Sequence, residues 1–445
     1  MKKKTRRGIR PIQILPLGFL SVIIIGTLLL MLPAATRSGH MTLFDALFTA
    51  TSASCVTGLT VVDTVTYFTG LGQGILLVLI QVGGLGFMIM TTFLFLIMRR
   101  KISLRNRVIL KEAMSEESLM SAQQMMRSAV RYTFAVEGAG ALLLSIRFVP
   151  RFGWAKGLWN SLFHSVSAFC NAGFDLLGAE GSLQHYAADP LVNLTIMSLI
   201  VLGGLGFTVI HNIVSYRRYH RLMTQARVVL LTSAVLLVMG TVLFLALEYD
   251  NPRTLGALPA PDRIWGAAFQ SVTCRTAGFF SVPQAELTGA GKLLSCILMF
   301  IGAAPGGTGG GIKVTTLAVL LLTIRALVQG KKDVEAYGRR FDLATLRRAL
   351  CLFMFALGVL FLGLLSVSAA EKGMDMLDLA YELCSALGTV GLTCGVTAEA
   401  SMFTKAVLCI FMYLGRVGLM TLVASLGREE TQPVVQYPTG NIMIG

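Results

Sequence analysis

One short motif occurs four times in this chain, each time after an apolar segment too short to cross a membrane. The copies read Cys55-Val56-Thr57-Gly58-Leu59, Cys170-Asn171-Ala172-Gly173-Phe174, Arg275-Thr276-Ala277-Gly278-Phe279 and Thr389-Val390-Gly391-Leu392-Thr393. The central glycines are 115, 105 and 113 residues apart. A nearly constant period indicates a repeated structural unit, and this period is too long for a solenoid. The repeat therefore predicts four copies of one module, each placing a glycine near a common axis.

The composition indicates the environment of this module. The chain is 54% hydrophobic and only 14% charged, whereas soluble domains carry roughly 25% charged residues. Membrane-spanning helices need roughly 20 apolar residues. The candidate spans are 12–34, 73–98, 128–149, 190–215, 228–249, 291–325, 349–370 and 403–426. The first of these is too long for the apolar region of a signal peptide, so we expect it to be retained.

A shorter apolar segment lies between the two members of each successive pair of spans. These segments are 43–56, 156–170, 262–274 and 376–389. At about 13–15 residues they suit re-entrant helices better than spans. The predicted fold is an all-α integral membrane protein with eight spans. In it, four repeats of span, re-entrant pore helix, filter loop and span surround a central pore with pseudo-fourfold symmetry.

This reading divides the chain into four repeats and a tail. The first repeat is 1–98, with a cytoplasmic N-terminus, and the second is 99–215, with a preceding cytoplasmic linker that looks partly helical. The third repeat is 216–327, the fourth is 328–427, and 428–445 is a cytoplasmic tail.

The net charge of +15 fits the same topology. The basic residues cluster in the N-terminus, 99–111, 217–227 and 331–348, as expected of cytoplasmic connections. This distribution predicts an even number of spans in the cell membrane, with both ends of the chain in the cytoplasm. We predict no nucleic-acid partner, because no basic face carries interleaved aromatic residues.

The loop glycines are the strongest candidates for function. Glycine reaches positive φ without steric cost, and four backbone loops around an axis can replace the hydration shell of a monovalent cation. We predict a potassium-binding selectivity filter. Its residues are Val56, Thr57, Gly58, Asn171, Ala172, Gly173, Thr276, Ala277, Gly278, Val390 and Gly391. The alternative, four ordinary hairpins with glycine turns, does not explain why each turn follows a half-length segment.

A second glycine-rich segment, 302–311, interrupts the second span of the third repeat. Proline and glycine at this density break helices, so we predict an unwound intramembrane gate loop. A nucleotide-binding loop is less well supported, because Ile312 separates the last glycine from Lys313 and no strand precedes it. A passive kink in the helix is the remaining alternative to a gate loop. The candidate gate residues are Gly306, Gly307, Gly309, Gly310, Gly311, Lys313 and Arg416.

Arg416 lies inside the last span, where a charge is costly and usually faces a partner or a cavity. We expect it to bond carbonyls of the gate loop, although a snorkelling arginine near the helix end is an alternative. Glu137, also within a span, is expected to pair with a basic residue or to support the cation pathway. The segments 83–87 and 203–207 are interpreted as sites of close helix packing. On this interpretation only the third repeat is broken, which disfavours a secondary transporter with inverted repeats.

These motifs together resemble the Trk/Ktr/HKT superfamily of potassium transporters, and the length and eight spans resemble its Ktr-type membrane subunit. The resemblance implies a homodimer with one pore per subunit and a cytosolic ring of nucleotide-binding, RCK-type regulatory subunits. It implies no enzyme activity, no covalent cofactor, potassium as the substrate and sodium as an activator, with nucleotides only on the regulatory partner. Membrane lipids are its other expected partners. A sodium or non-selective monovalent cation transporter of the same fold is the alternative.

Two further expectations follow from the resemblance. The tail 436–445 resembles the family's C-terminal segment at the dimer interface. The gate loop departs from the family, because it is mostly glycine where relatives commonly carry small hydroxyl residues. A more flexible loop, and so a leakier gate, is the hypothesis that this departure suggests.

Overall fold

The computed structural model describes residues 11–86, 119–178, 181–220, 222–419 and 421–422, and this part of the chain is mainly helical. The helices are α1 (Pro11–Leu30), α2 (Leu43–Cys55), α3 (Thr64–Tyr67), α4 (Gly70–Leu85), α5 (Leu119–Phe152), α6 (Trp154–Cys170), α7 (Pro190–Gly204), α8 (Phe207–Tyr219), α9 (Thr224–Glu248), α10 (Ala260–Thr273), α11 (Gly289–Phe300), α12 (Val314–Val328), α13 (Leu343–Ala370), α14 (Met376–Gly388), α15 (Val396–Glu399) and α16 (Met402–Val417). Short 3₁₀ turns lie at Pro33–Ala35, Gln184–Tyr186 and Leu255–Ala257. An antiparallel hairpin of β1 (Glu335–Ala336) and β2 (Arg339–Arg340) connects α12 to α13.

Four half-length helices, α2, α6, α10 and α14, coincide within about two residues with the four short apolar segments of the sequence. Their C-terminal halves are buried; in α2 every residue from Phe48 to Cys55 is buried. Longer helices pack around them: α1 on α2, α5 on α6, α9 on α10, and α16 on α14. The half-length helices therefore form the interior of the molecule.

The outer helices carry apolar residues on their exposed faces. Leu142 of α5 is 70% exposed, Val238 of α9 is 65% exposed and Phe361 of α13 is 68% exposed. A monomeric soluble protein rarely exposes apolar faces of this extent. The exposed surface thus fits contact with hydrocarbon.

Within the described residues, α1, α5, α9 and α13 each have the length and apolar character to cross a membrane. The bent pair α7 and α8 makes a fifth crossing if it is one span, and α4, α11 and α12 are apolar but shorter. Helix length alone therefore accounts for four or five of the eight predicted spans.

The prediction that only the third repeat is broken is wrong. The candidate span 190–215 is two helices, α7 and α8, which meet at an angle of 100°. At the break, Gly206 has φ +87°, and glycines with similar φ follow α4 (Gly86, +78°) and α16 (Gly418, +88°). Glycine reaches such positive φ without steric cost, and each of these glycines lies directly at a helix boundary. The span 291–325 is also divided, with α11 ending at Phe300 and α12 beginning at Val314.

Some predictions lie outside the described residues. These are the N-terminal basic segment, 87–98 of the second predicted span, most of the linker 99–127, and the tail 436–445.

Candidate functional site: a glycine ring and a glycine-rich loop

The four motif glycines meet in one place. A Cβ atom built on Gly58 would lie 2.5 Å from Ala172 O, and one on Gly173 would lie 3.0 Å from Ala277 O. In the same way, a Cβ on Gly278 would overlap Val390 O, and one on Gly391 would overlap Thr57 O. Each glycine thus faces the residue before the next glycine, and the fourth faces the first. We call this closed arrangement the glycine ring.

The ring requires glycine for two reasons. The four φ angles are +99°, +68°, +80° and +94° in chain order, and residues other than glycine rarely adopt this region of φ. The contacts with the neighbouring loops leave no room for a Cβ.

Hydrogen bonds anchor the ring loops to the C-terminal ends of the half-length helices. The backbone N–H groups of Thr57, Ala172 and Val390 each donate 2.8 Å hydrogen bonds, to the carbonyls of Ser52, Ser167 and Ser385 respectively. The residue before each of these donors has the left-handed conformation, so each of the three helices ends in a Schellman motif. The Ser52 and Ser385 hydroxyls accept hydrogen bonds from the ring N–H groups of Gly58 (3.1 Å) and Gly391 (3.0 Å).

The third loop is built differently. Ala277 N–H donates to Thr273 O at 3.0 Å, and the Thr273 hydroxyl donates to Phe279 O. Its left-handed residue, Thr276 (φ +73°), still lies two positions before the glycine, as Val56 and Asn171 do.

The same position in the fourth loop is Thr389 (φ +52°), a residue absent from the predicted set. Counting back two positions from Gly391 was the signal that could have found it. Three of these four residues are β-branched, and a β-branched side chain in this conformation is a strained exception. The strain is localised at the ring.

A polar layer formed by Asn171 and Thr276 connects the second ring loop to the third. With its amide oxygen directed at Thr276, Asn171 accepts a 3.0 Å hydrogen bond from the Thr276 hydroxyl and donates to Ala168 O (3.0 Å) and Ile200 O (3.2 Å). The Thr57 hydroxyl is buried and has no hydrogen-bond partner within the described part of the chain.

The glycine-rich loop between α11 and α12 packs directly on this layer. Gly310 N–H donates to the Thr389 hydroxyl at 3.0 Å. A Cβ on Gly309 would overlap the Thr276 hydroxyl, and one on Gly310 would overlap the Thr389 hydroxyl. The loop therefore lies next to the ring, and two of its glycines are required for the close approach.

Backbone hydrogen bonds give this loop a defined shape. Ala304 N–H donates to Gly204 O (3.0 Å), Thr308 N–H donates to Gly203 O (3.1 Å), and Phe207 N–H donates to Gly306 O (3.1 Å). The bend between α7 and α8 thus supplies the partners that the loop needs. These bonds argue against the hypothesis that high glycine content makes the loop loose.

Two cationic side chains bond carbonyls of the loop. Arg416 donates to Thr308 O and, on the opposite side, to Gly83 O and to Gly84 O (3.1 Å). Lys313 Nζ donates to Gly309 O (2.8 Å) and Gly310 O (3.4 Å). Neither makes a salt bridge within the described residues. Arg416 is thus a clamp between α4 and the loop, and its expected bond to a loop carbonyl is present.

The predicted pairing of Glu137 with a basic residue is not found among the described residues, and its support of the cation pathway stays a prediction. Its carboxylate accepts a 3.0 Å hydrogen bond from Gln81 and lies 3.8 Å from the Cys170 sulfur. No basic side chain bonds it within the described residues. Glu137 instead joins α5 to α4 and to the end of α6, just before the ring.

No group of three or more His, Cys, Asp or Glu side chains suited to a metal ion occurs in the described part of the chain. The oxygen atoms near the ring come from backbone carbonyls, from serine and threonine hydroxyls and from the Asn171 amide. Such neutral oxygens suit an alkali cation.

Comparisons with known proteins agree with this architecture. The family model TrkH, described as cation transport protein, matches residues 2–429. The chain is 41% identical to the potassium/sodium uptake protein NtpJ of Enterococcus hirae, covering 100% of this chain and 99% of that protein. It is 39% identical to the Ktr system potassium uptake protein B of Bacillus subtilis, again covering 100% and 99%. The fold is similar to the crystal structure of the potassium transporter TrkH from Vibrio parahaemolyticus, with a TM-score of 0.73 and 19% identity over 96% of this chain and 86% of that one.

Proposed function

The chain belongs to the TrkH/Ktr family of cation transport proteins, and from this premise we propose that it takes up potassium through the glycine ring, which acts as a selectivity filter. The observation that carries the proposal is the closure of four positive-φ glycines into one ring at the ends of four half-length helices. A ring of backbone loops can replace the hydration shell of the ion.

The electrostatics of the half-length helices support cation binding. Each ends just before a ring glycine, so the negative ends of four helix dipoles converge there. Each helix end is equivalent to roughly half a negative charge. The filter residues are those predicted from the sequence, with Thr389 added.

The full architecture is part of the proposal. Eight spans in four repeats, divided at the boundaries given above, would place the ring at membrane depth with both chain ends in the cytoplasm. Irregular backbone at that depth is tolerated where protein surrounds it, and the burial of the ring residues supports this.

The names of similar proteins support proposals about the transported ion and about regulation. One is named a potassium/sodium uptake protein and others are named Ktr system potassium uptake proteins. Potassium is accordingly the proposed substrate and sodium the proposed activator. The names of the Ktr relatives call each of them part of a system, which supports the proposal of a separate regulatory subunit. We propose that this subunit is a nucleotide-binding ring of the RCK type and that it binds a homodimer of this chain. A sodium-carrying or non-selective transporter is the second candidate, favoured by the name of the Enterococcus hirae relative.

We assign gating to the glycine-rich loop. Its contacts with Thr276 and Thr389 place it against the ring, and the bonds of Lys313 and Arg416 hold it there. Release of these bonds by a cytosolic partner would open the path.

The test is cation flux into liposomes that contain the purified protein, with potassium, rubidium, sodium and lithium compared. Preference for potassium and rubidium supports the proposal. Equal flux of all four ions contradicts the selective function and favours the second candidate. If flux is absent, the measurement is repeated with Arg416→Gln, which releases the clamp; absence of flux there also contradicts the channel function.

A further inference from the structure

A groove lies between α9 and α12, and the β1–β2 hairpin closes one end of it. The enclosed volume is about 530 Å³, which falls within the range of about 300–1,000 Å³ typical of ligand sites. Leu231 of α9 and Leu321 of α12 belong to its apolar walls. The groove is separate from the glycine ring, whose residues do not line it.

Cationic side chains gather where the helix α12 ends. Arg325 and Lys331 line the groove there, with Glu335 as the one acidic residue of the lining. Neither cation makes a salt bridge in the described part of the chain. The backbone N–H of Lys331 donates to Ala326 O at 2.9 Å, which fixes the residue at the helix end. Arg227, 5.6 Å from the Tyr337 ring, adds a further positive charge nearby.

The apolar walls continue outward along the same two helices. Leu231 is 58% exposed and Val235 is 53% exposed on α9, while Leu321 is 53% exposed and Ile324 is 58% exposed on α12. A groove that opens onto exposed apolar faces and ends at unpaired cations matches a molecule with a hydrocarbon chain and an anionic head.

We infer that this groove binds an anionic phospholipid. The phosphate lies between Arg325 and Lys331, and an acyl chain lies between Leu231 and Leu321. The inference rests on the proposed membrane function only for the placement of α9 and α12 in a bilayer. A free phosphate would leave the apolar walls uncovered.

The experiment measures lipid retention by native mass spectrometry of the full chain, with phosphatidylglycerol and phosphatidylcholine of identical acyl chains. The wild-type protein should retain phosphatidylglycerol preferentially. The double substitution Arg325→Gln with Lys331→Gln should weaken that retention about twenty-fivefold, since each cation near an anionic lipid contributes about a fivefold gain. Lys332→Gln is the matched control, because Lys332 is adjacent in sequence but does not line the groove.

A second variant tests the apolar half of the site. Leu321→Trp fills the groove and should reduce retention of phosphatidylglycerol while leaving all cations in place. Equal retention of both lipids by the wild type, or unchanged retention in the double variant, overturns the inference. Displacement of the lipid by millimolar inorganic phosphate would indicate a free-anion site, and conversion of a dimer to a monomer by Leu321→Trp would indicate a subunit interface; either overturns it too. Retention does not depend on ion flux, so failure here leaves the proposed transport function untouched, and failure of transport leaves this result standing.

Discussion

Substitution of serine for Gly173 should remove ion selectivity while leaving the protein folded. Gly173 has φ +68°, and a Cβ there would lie 2.9 Å from Gly278 Cα and 3.0 Å from Ala277 O. Ordinary contacts between carbon atoms are about 3.5–4.0 Å. One ring loop must therefore move by roughly 0.5–1 Å, and the left-handed backbone costs a further roughly 1–2 kcal/mol for a residue with a Cβ.

A matched control separates these two costs. Gly39 has φ +74°, and a Cβ there would meet no atom within 4 Å. Gly39→Ser thus carries the same backbone cost without any displacement of the ring. Gly173→Ser should lose more thermal stability than Gly39→Ser, because it alone also displaces a ring loop, and only Gly173→Ser should lose selectivity.

The assay is the ratio of potassium to sodium flux into liposomes. A displacement of this size should reduce the ratio at least about tenfold, which corresponds to about 1.4 kcal/mol of lost discrimination. A wild-type ratio in correctly folded Gly173→Ser would refute the assignment of the ring as the filter. A reduced ratio in Gly39→Ser as well would show that the effect comes from general destabilisation.

Substitutions at three further positions test the surrounding structure. Arg416→Gln should raise basal flux in the absence of any partner protein, and Arg416→Lys should not restore closure, because lysine lacks the planar fork of donors that reaches both α4 and the loop. Thr389→Val should leave Gly310 N–H without its acceptor, destabilise the loop by about 1–3 kcal/mol and also raise flux, whereas Thr389→Ser should not. Glu371→Gln should reduce stability by about 1 kcal/mol at pH 7, measured by thermal unfolding in detergent. Hydrogen bonds from Ser401 and Thr404 hold the pKa of the Glu371 carboxyl below its usual 4.5. Its contribution is therefore present above pH 4.5 and is lost as the pH falls through the folded-state value, so the difference between variant and wild type should vanish in acid.

The ring was predictable because its determinants are local. A glycine at a near-constant period, after a segment too short to span, specifies a helix end followed by a loop, and Gly58, Gly173, Gly278 and Gly391 all occupy such positions. The ring contacts themselves are between residues more than 100 positions apart. The sequence supports the existence of the four loops, but it does not contain their cyclic order or their distances.

The ends of α4, α7 and α16 inside predicted spans were not predicted, and the reason is specific. The segment 203–207 was interpreted as a packing surface, and Gly203 does pack: a Cβ there would overlap Phe169 O. Gly206, three positions later, serves a different purpose, since its φ of +87° ends the helix. One motif combines both roles, and composition does not separate a packing glycine from a glycine that terminates a helix.

The same motif explains where the proposed fourfold pattern departs from symmetry. Gly83, Gly203 and Gly415 each lie against a carbonyl of the adjoining half-length helix, four positions before the ring glycine, and in each case a second glycine three residues later ends the helix. The residue after the first glycine is Gly84 or Gly204 in two repeats and Arg416 in the last. At that position a long side chain reaches across to the carbonyls of the first repeat and of Thr308. The third repeat replaces the motif with the glycine-rich loop that this arginine holds. Two local changes in an otherwise repeated plan therefore bring a clamp and its loop together next to the glycine ring, which is why the proposed gate involves the third and fourth repeats.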